Sequence, residues 1–286
     1  MSVDRMQLQR FELKYIIDAA LALAVRDFVS SHLELDEYGA TQPDLSYSVH
    51  SLYLDSPSLT TYRWTINGNK NRYKLRIRFY ENNPAAPIYF EIKRRMNDAI
   101  LKQRGAVKRE FVDQVLAGHL PEAEQMASTD PRHLAAVQRF VEAMNHMQAR
   151  PTAHVAYRRE ALISPADNEG RVTFDRDVRC DPEPTASFQA EMHRPVAVFD
   201  DQVILELKFT GRFPRWFGEL ARVFNLHQCS AAKYADGLTL LGEQRVLAAH
   251  LDVLPMLSAR PAAHARLAAL PPAPLAGAPA LAAAAA

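Results

Sequence analysis

The chain of 286 residues is 48% hydrophobic and 23% charged, an ordinary globular composition and enough for one large domain or two small ones. A net charge of +1 excludes the overall basicity of a nucleic-acid coat, and the two cysteines, Cys180 and Cys229, fit no zinc or redox spacing. No signal peptide is visible and no apolar run reaches the roughly 18 residues that span a bilayer, so a soluble, cytoplasmic protein in a reducing compartment is expected.

Residues 10–17 read as a strand. Asp18 then serves as the N-cap of a helix from Ala19 to Leu33, with Leu21, Val25, Phe28 and Val29 at helical spacing. Tyr47 to Leu54 is a strand. Asp55-Ser56-Pro57-Ser58 turns into a short helix through Trp64, with Pro57 at its first position. Strands at 72–80 and 87–96 form a hairpin around Asn82-Asn83-Pro84, and a further short strand covers 99–105. From Glu110 to Gln148 the pattern is helical, punctuated at Gly118, Pro121 and Pro131. Strands return at Pro151–Ile163, Arg171–Arg179 and Val203–Thr210. Helices follow at Pro214–Phe224 and Tyr234–His250. Beyond about residue 258 the composition collapses to Ala, Pro and Leu, which cannot bury a specific core. The expected division is one domain over 1–250 and a disordered tail over 251–286. Strand-rich halves around a helical middle, without βαβ alternation, give an α+β class.

Five of these strands alternate charge with apolar residues. They are Arg10-Phe11-Glu12-Leu13-Lys14-Tyr15, Tyr73-Lys74-Leu75-Arg76-Ile77-Arg78-Phe79, Phe90-Glu91-Ile92-Lys93-Arg94-Arg95, Arg171-Val172-Thr173-Phe174-Asp175 and Ile204-Leu205-Glu206-Leu207-Lys208-Phe209. Period two gives each strand one apolar and one charged face. A solvated outer face is the ordinary fate of such a pattern. Here the faces are mostly Arg and Lys rather than a polar mixture, and close-set like charges cost energy unless an anion neutralises them. Strands closing into a barrel would turn the charged face into a lumen. Such a lumen suits a polyphosphate chain and its accompanying metal. No Gly-rich phosphate loop is present, so side chains must bind the phosphates.

Lys74, Arg76 and Arg78 form the strongest cluster, reaching roughly 13 Å along one strand face, enough for two or three linked phosphates. Lys93 and Arg95 extend it, as do Lys102 and Arg104. In Tyr157-Arg158-Arg159-Glu160 only one arginine shares a face with Tyr157, and parity selects Arg159. Glu206, a carboxylate in an otherwise apolar strand, is the leading metal candidate. The oxygen-only set suits Mg²⁺ or Mn²⁺ rather than zinc. Glu12, Glu91 and Asp175 are further candidates, and for Glu12 and Glu91 two readings stand: metal ligand, or partner of the lysine two residues on. The ten histidines do not cluster in sequence; His154, His193 and His227 read as surface or packing residues. No Ser, His and acid arrangement supports nucleophilic catalysis.

In this order the strands resemble the VTC domain, the polyphosphate polymerase domain of the vacuolar transporter chaperone family. That domain belongs to the triphosphate tunnel metalloenzymes, with the CYTH adenylate cyclases and thiamine triphosphatases. The resemblance covers about residues 8–240. It also rests on Tyr53-Leu54-Asp55, Lys102-Gln103-Arg104, Tyr157-Arg158-Arg159 and Lys233-Tyr234. It implies an antiparallel eight-stranded tunnel β-barrel with flanking helices. It also implies transfer of the ATP γ-phosphate onto a growing polyphosphate, with Mn²⁺ or Mg²⁺ as cofactor. By matching position, Lys14, Arg76, Arg78, Lys93, Lys102, Arg159, Arg171 and Lys233 resemble phosphate-binding residues, Glu206 a metal ligand and Tyr157 a substrate hydrogen-bonding residue. The family's closing Ser-Lys motif is altered, because Ala232 precedes Lys233 and an additional lysine shortly before it is missing. Neither an inositol-phosphate-sensing domain before the barrel nor a membrane segment after it is recognised in these residues, so a separate membrane partner is expected for coupling to export.

The leading expectation is therefore a polyphosphate polymerase acting on ATP. The alternatives are a triphosphate or polyphosphate hydrolase using the same tunnel, an adenylate cyclase, and a catalytically silent polyanion-binding module. RNA binding ranks last, since no aromatic-and-basic platform is visible in sequence.

Overall fold

A computed structural model describes residues 9–80, 82–83, 85–164 and 170–258. Its elements run β1 (Gln9–Ile17), α1 (Ala19–Ser30), β2 (Glu34–Leu35), β3 (Tyr47–Asp55), α2 (Thr60–Ile66), β4 (Asn71–Phe79), β5 (Ile88–Met96) and β6 (Ala99–Val107). The helical middle holds α3 (Val112–Leu116) and α4 (Pro131–Met147). Then come β7 (Arg150–Ile163), β8 (Gly170–Pro182), β9 (Val196–Ala197), β10 (Val203–Phe209), α5 (Arg215–Val223), α6 (Lys233–Leu241) and α7 (Glu243–Ser258).

The strands form one antiparallel sheet in the order β2-β7-β3-β4-β5-β6-β1-β10-β8-β9, and β7 also pairs with β8. The described residues thus hold ten strands where eight are expected. The additions, β2 and β9, are two residues long and lie at the ends of the order. Every long strand buries its apolar face. Leu75, Ile77, Phe90 and Ile92 pack under Val137, Phe140 and Val141 of α4. Tyr15, Val172, Leu205 and Leu207 pack with Val25 and Val29 of α1 and Phe217 and Leu220 of α5. A third cluster joins Val155, Val178 and Cys180 to Ala235 and Leu238 of α6. Helices α1, α4 and α5 therefore cover the apolar side, while α6 packs on the inward side beside Tyr53 and Tyr157.

Caps set several boundaries. Asp18 accepts from the Leu21 amide and starts α1, which ends at Ser30, earlier than its apolar spacing suggests. Asp130 caps α4, with Pro131 at its first turn. Pro57 does not open α2. That helix begins at Thr60 behind Leu59, whose backbone is left-handed at φ 55°, and Asp55 takes the cap role from a distance. Its carboxylate accepts from the Ser56, Thr61 and Tyr62 amides and the Thr61 hydroxyl. The single helix expected over 234–250 is two, broken at Gly242, where φ is 79°. α7 runs past the expected domain boundary at 250, and the rest of the expected tail lies outside the described residues. No helix of the described residues is long and apolar enough to cross a membrane.

Gly105 lets α4 approach the sheet. A Cβ there would stand 2.3 Å from the His133 carbonyl oxygen and 2.4 Å from Val137 Cγ2. Gly105→Ala is expected to cost about 1–3 kcal/mol through forced separation of helix and strand, read as a lower urea midpoint at unchanged slope.

Candidate functional site

The inward faces enclose a cavity of about 890 Å³. Its lining holds six lysines and ten arginines but two carboxylates, Glu12 and Glu206. Every cation that the sequence singles out lies on this wall: Lys14, Lys74, Arg76, Arg78, Lys93, Lys102, Arg104, Arg159, Arg171 and Lys233, with Tyr157 among them. Strand register explains the density. Lys74 stands opposite Lys93, which stands opposite Lys102, so three adjacent strands place lysines in one row. In the next row Arg76 and Arg104 flank Glu91.

A defect in the pairing of β7 with β8 aims the far wall. The register slips between Ala156 and Arg158, facing a left-handed Asp177 at φ 51°. The extra residue inverts the alternation of β8. Arg171, Thr173 and Asp175 face inward, and beyond the bulge Val178 and Cys180 turn to that same side, where they pack against α6. Both Arg158 and Arg159 line the cavity, but only Arg159 reaches the buried carboxylates. Arg159 grips the buried Asp175 at 2.7 and 2.8 Å, and Arg158 turns to Asp44 and Ser46.

The carboxylates occupy three settings. Glu206 is buried amid four cations: Lys208 at 2.6 Å, Lys233 at 3.0 Å, Lys14 at 3.3 Å and Arg159 at 3.6 Å. Burial opposes its ionisation, but Lys208, Lys233, Lys14 and Arg159 outweigh that and hold the carboxyl well below its usual range. Glu12 accepts from Lys93 at 2.8 and 2.9 Å; against the cost of burial, Lys93 and then Lys208 and Lys14 bring it to about 2. Glu91 is different. It is wholly buried, does not line the cavity, and pairs with Arg76 at 2.6 Å, Lys102 at 2.8 Å and Arg104 at 3.4 Å. Asp175 is likewise enclosed, by Arg159 and by Lys233 at 2.6 Å. No group of three or more His, Cys, Asp or Glu among the described residues is placed to hold a metal unaided.

Of the lining cations that the sequence singles out, Arg78 and Lys74 have no carboxylate at ion-pair distance among the described residues. Arg78, only 6% exposed, reaches hydroxyls alone, Tyr157 at 3.2 Å and Ser51 at 3.4 Å, and its buried Nε has no partner. Lys74 sits over the Tyr234 ring at 5.8 Å. Burial, then Lys14 and Lys93, lowers its amine to about 7. A polyanion would restore its charge, so tripolyphosphate binding at pH 8 is expected to take up protons. Affinity then falls as pH rises above 7, by up to about tenfold per unit for a group that must be charged. Calorimetry in buffers of different ionisation enthalpy checks this, with Lys74→Met removing that share and cancelling the titration of tripolyphosphate itself. The unfolded lysine holds its proton to a higher pH than the folded one. The ligand-free protein therefore gains stability from this residue as pH rises from about 7 toward the usual lysine range.

Lys233 enters through α6. Its helix is anchored by Tyr234, which donates to Asp55 at 2.8 Å and stacks on Tyr53 at 4.6 Å. Ala232 offers no side-chain cap, and Asp236 instead accepts from the Ala232 amide at 2.7 Å. Asp55 thus positions both α2 and Lys233, a role that local sequence does not reveal. Asp36 is a second such residue, accepting from Arg171 at 2.9 Å and Tyr47 at 3.0 Å.

His154 is a packing residue, as expected, but it is not isolated: with His50, far away in the chain, it forms a buried pair at 3.0 Å beside Phe79, and neither lines the cavity. One sequence expectation needs correcting. The absence of an aromatic-and-basic platform is overturned, because the cavity wall is one. Eight tyrosines line the cavity, and they come from segments that no local pattern connects.

Antiparallel strands thus surround a cavity whose charge suits a chain of linked anions. The VTC domain family matches residues 9–242, and the chain belongs to that family. No curated protein matches it. Among solved structures the chain is similar to a candidate adenylate cyclase of Bacillus halodurans, at 11% identity and a TM-score of 0.44, over 79% of this chain and 96% of that one. It is also similar to the Schizosaccharomyces pombe Mediator head module, at 8% identity and a TM-score of 0.34, over 82% and 94% respectively. Both likenesses are distant.

Proposed function

We propose that this protein is a metal-dependent polyphosphate polymerase that transfers the γ-phosphate of ATP to the end of a growing polyphosphate chain. The observation that carries the reading is the wall composition, sixteen cations against two carboxylates around about 890 Å³. Family membership agrees with it. The pairing of β7 with β8 favours an eight-stranded tunnel barrel, because it links the two ends of the run β7-β3-β4-β5-β6-β1-β10-β8.

In this reading a terminal oxygen of the chain attacks the γ-phosphorus, the bond to the bridging oxygen breaks, and ADP leaves with that oxygen. Little covalent work falls to the protein; positioning and charge neutralisation supply the catalysis. Arg76 and Arg78 hold one side of the transferred group, and Arg159 and Lys233 hold the other. The Tyr157 hydroxyl accepts from Arg78 and keeps its own proton for a phosphate oxygen. Lys14, Lys93, Lys102 and Arg171 carry the neighbouring phosphates, with Lys74 and Arg104.

The two lining carboxylates offer oxygen alone, which fits Mn²⁺ or Mg²⁺ shared with substrate phosphates. Glu206 would hold the ion, with Glu12 as the second carboxylate. When bound, the ion would neutralise charge on the transferred phosphoryl group. Glu91 is off the cavity wall, out of reach of an ion shared with substrate phosphates, and would serve as the counter-ion of its three cations.

The test is a ³¹P NMR spectrum of the protein incubated with ATP and Mn²⁺. A growing mid-chain polyphosphate resonance alongside ADP is the expected result. Orthophosphate with ADP would make the protein a phosphohydrolase, and pyrophosphate with cyclic AMP a cyclase. Unchanged ATP would leave a polyanion-binding module.

A further inference from the structure

Of the eight lining tyrosines, Tyr53, Tyr157 and Tyr234 stand beside Arg76, Arg78 and Lys74 and Tyr73 lies under Arg94, whereas the other four form a group. Tyr38 and Tyr47 lie with ring centroids 5.7 Å apart, and Tyr80 meets Tyr89 edge to face at 5.9 Å. Arg104 stands over the Tyr89 ring at 3.6 Å and donates to the Tyr80 hydroxyl at 3.3 Å. Both pairs and Arg104 line the same cavity, and the exposure of Tyr38 marks this part of its wall as a mouth open to solvent. Thr41 and Gln42 add hydrogen-bonding groups to the lining. Register places Tyr89 opposite Arg78, one step from the pairing of Arg76 with Glu91. This group of four therefore adjoins the phosphate-holding cations at Arg78 and at Arg171, which donates to the Tyr47 hydroxyl at 3.4 Å.

The other end of the row is chemically different. Arg72 and Arg95 pair across β4 and β5 there, and together with Lys70 they line a second cavity of about 600 Å³ that shares Thr65, Arg72, Arg95 and Ser230 with the first. No tyrosine lines that cavity among the described residues.

A polyphosphate has no aromatic face, so a group of tyrosine rings offers it little beyond hydroxyls. A nucleobase has two such faces and gains from stacking on tyrosine and on arginine planes. Tyr38 is 58% exposed, a large ring left in water at the rim rather than packed in a core. We propose that this mouth is a nucleobase subsite: the base of a nucleoside triphosphate stacks among Tyr38, Tyr80 and Tyr89 while its phosphates run inward to Arg78 and Arg76. The inference rests on a nucleotide being the donor, as in the function proposed above. It gives the cavity a direction, with the nucleotide entering at the tyrosine mouth and the product chain extending toward Lys70, Arg72 and Arg95.

The experiment is calorimetric binding of ATP and of inorganic tripolyphosphate to the full chain and to Tyr38→Ala, Tyr38→Trp and Tyr89→Ala. Tyr38 is exposed, so its truncation leaves the fold in place even if Tyr89→Ala does not fold. The expected result is an ATP affinity about tenfold weaker in Tyr38→Ala, restored in Tyr38→Trp, with tripolyphosphate unchanged. Equal loss for both ligands, or ATP binding indifferent to Tyr38, would overturn the subsite. Failure of the polymerase reading looks different: no chain product in the ³¹P spectrum, with the Tyr38-dependent preference for ATP intact.

Discussion

Glu206→Gln is expected to reduce polyphosphate formation by about 10²–10³-fold while ATP binding stays nearly unchanged or tightens, measured by ³¹P NMR and calorimetry on the same preparation. The amide keeps the shape of the carboxylate and removes its charge. Lys208, Lys233, Lys14 and Arg159 would then face the cavity with one neutralising group fewer. A polyanion meets a more positive wall, so binding has no reason to weaken. Turnover depends on the carboxylate only if it does something besides balancing charge, such as holding an ion against the transferred phosphoryl group. A variant that binds ATP but does not turn it over would remove the silent-module alternative, because a passive polyanion holder has no step to lose. Turnover at the wild-type rate would reduce Glu206 to a counter-ion and remove the reason for assigning it a metal.

The charged wall was legible in sequence because period two survives in β1, β4, β5 and β10 without interruption. Lys74, Arg76 and Arg78 share a parity on one strand, and nothing local inverts it. The lower part of β8 was hidden by the bulge at Asp177, which turns Val178 and Cys180 inward against the simple alternation. The counter-ions were hidden for another reason. Glu91 reads the same whether it faces a metal or three cations, and cross-strand register decides between those. Asp55 looked like a turn residue because its partner Tyr234 comes from the far end of the fold, 179 residues away. The tyrosine mouth draws on the segment before β3, on β3 itself and on the hairpin of β4 and β5, so its composition appears only once the sheet brings them together. Strand faces are local properties; counter-ions, bulges and mouths belong to the assembled sheet.

Glu91→Gln is expected to lower stability by about 3–5 kcal/mol, the range for removing one partner from a buried charge network. In a domain of this size that corresponds to roughly 10 °C in Tm. Glu91 is fully buried, and Arg76, Lys102 and Arg104 converge on it. Burial works against its ionisation, but Arg76, Lys102, Arg78 and Arg104 hold it well below the usual carboxylate range. The folded protein thus depends on this carboxylate being charged. Its contribution is complete above the unfolded-state value and disappears only in strong acid. Without it, the cations that would grip phosphates repel one another. A bound polyanion can take the carboxylate's place from the cavity side. Tripolyphosphate at about a thousand times its Kd should therefore return about 4 kcal/mol by mass action, and more if the variant binds it more tightly. A thermal melt of Glu91→Gln with and without tripolyphosphate, in the absence of divalent ions, separates the two roles considered for this residue. A large loss that tripolyphosphate repairs marks a counter-ion that readies the wall for phosphate. A variant as stable as the parent that had lost only its response to Mn²⁺ would make Glu91 a metal ligand instead.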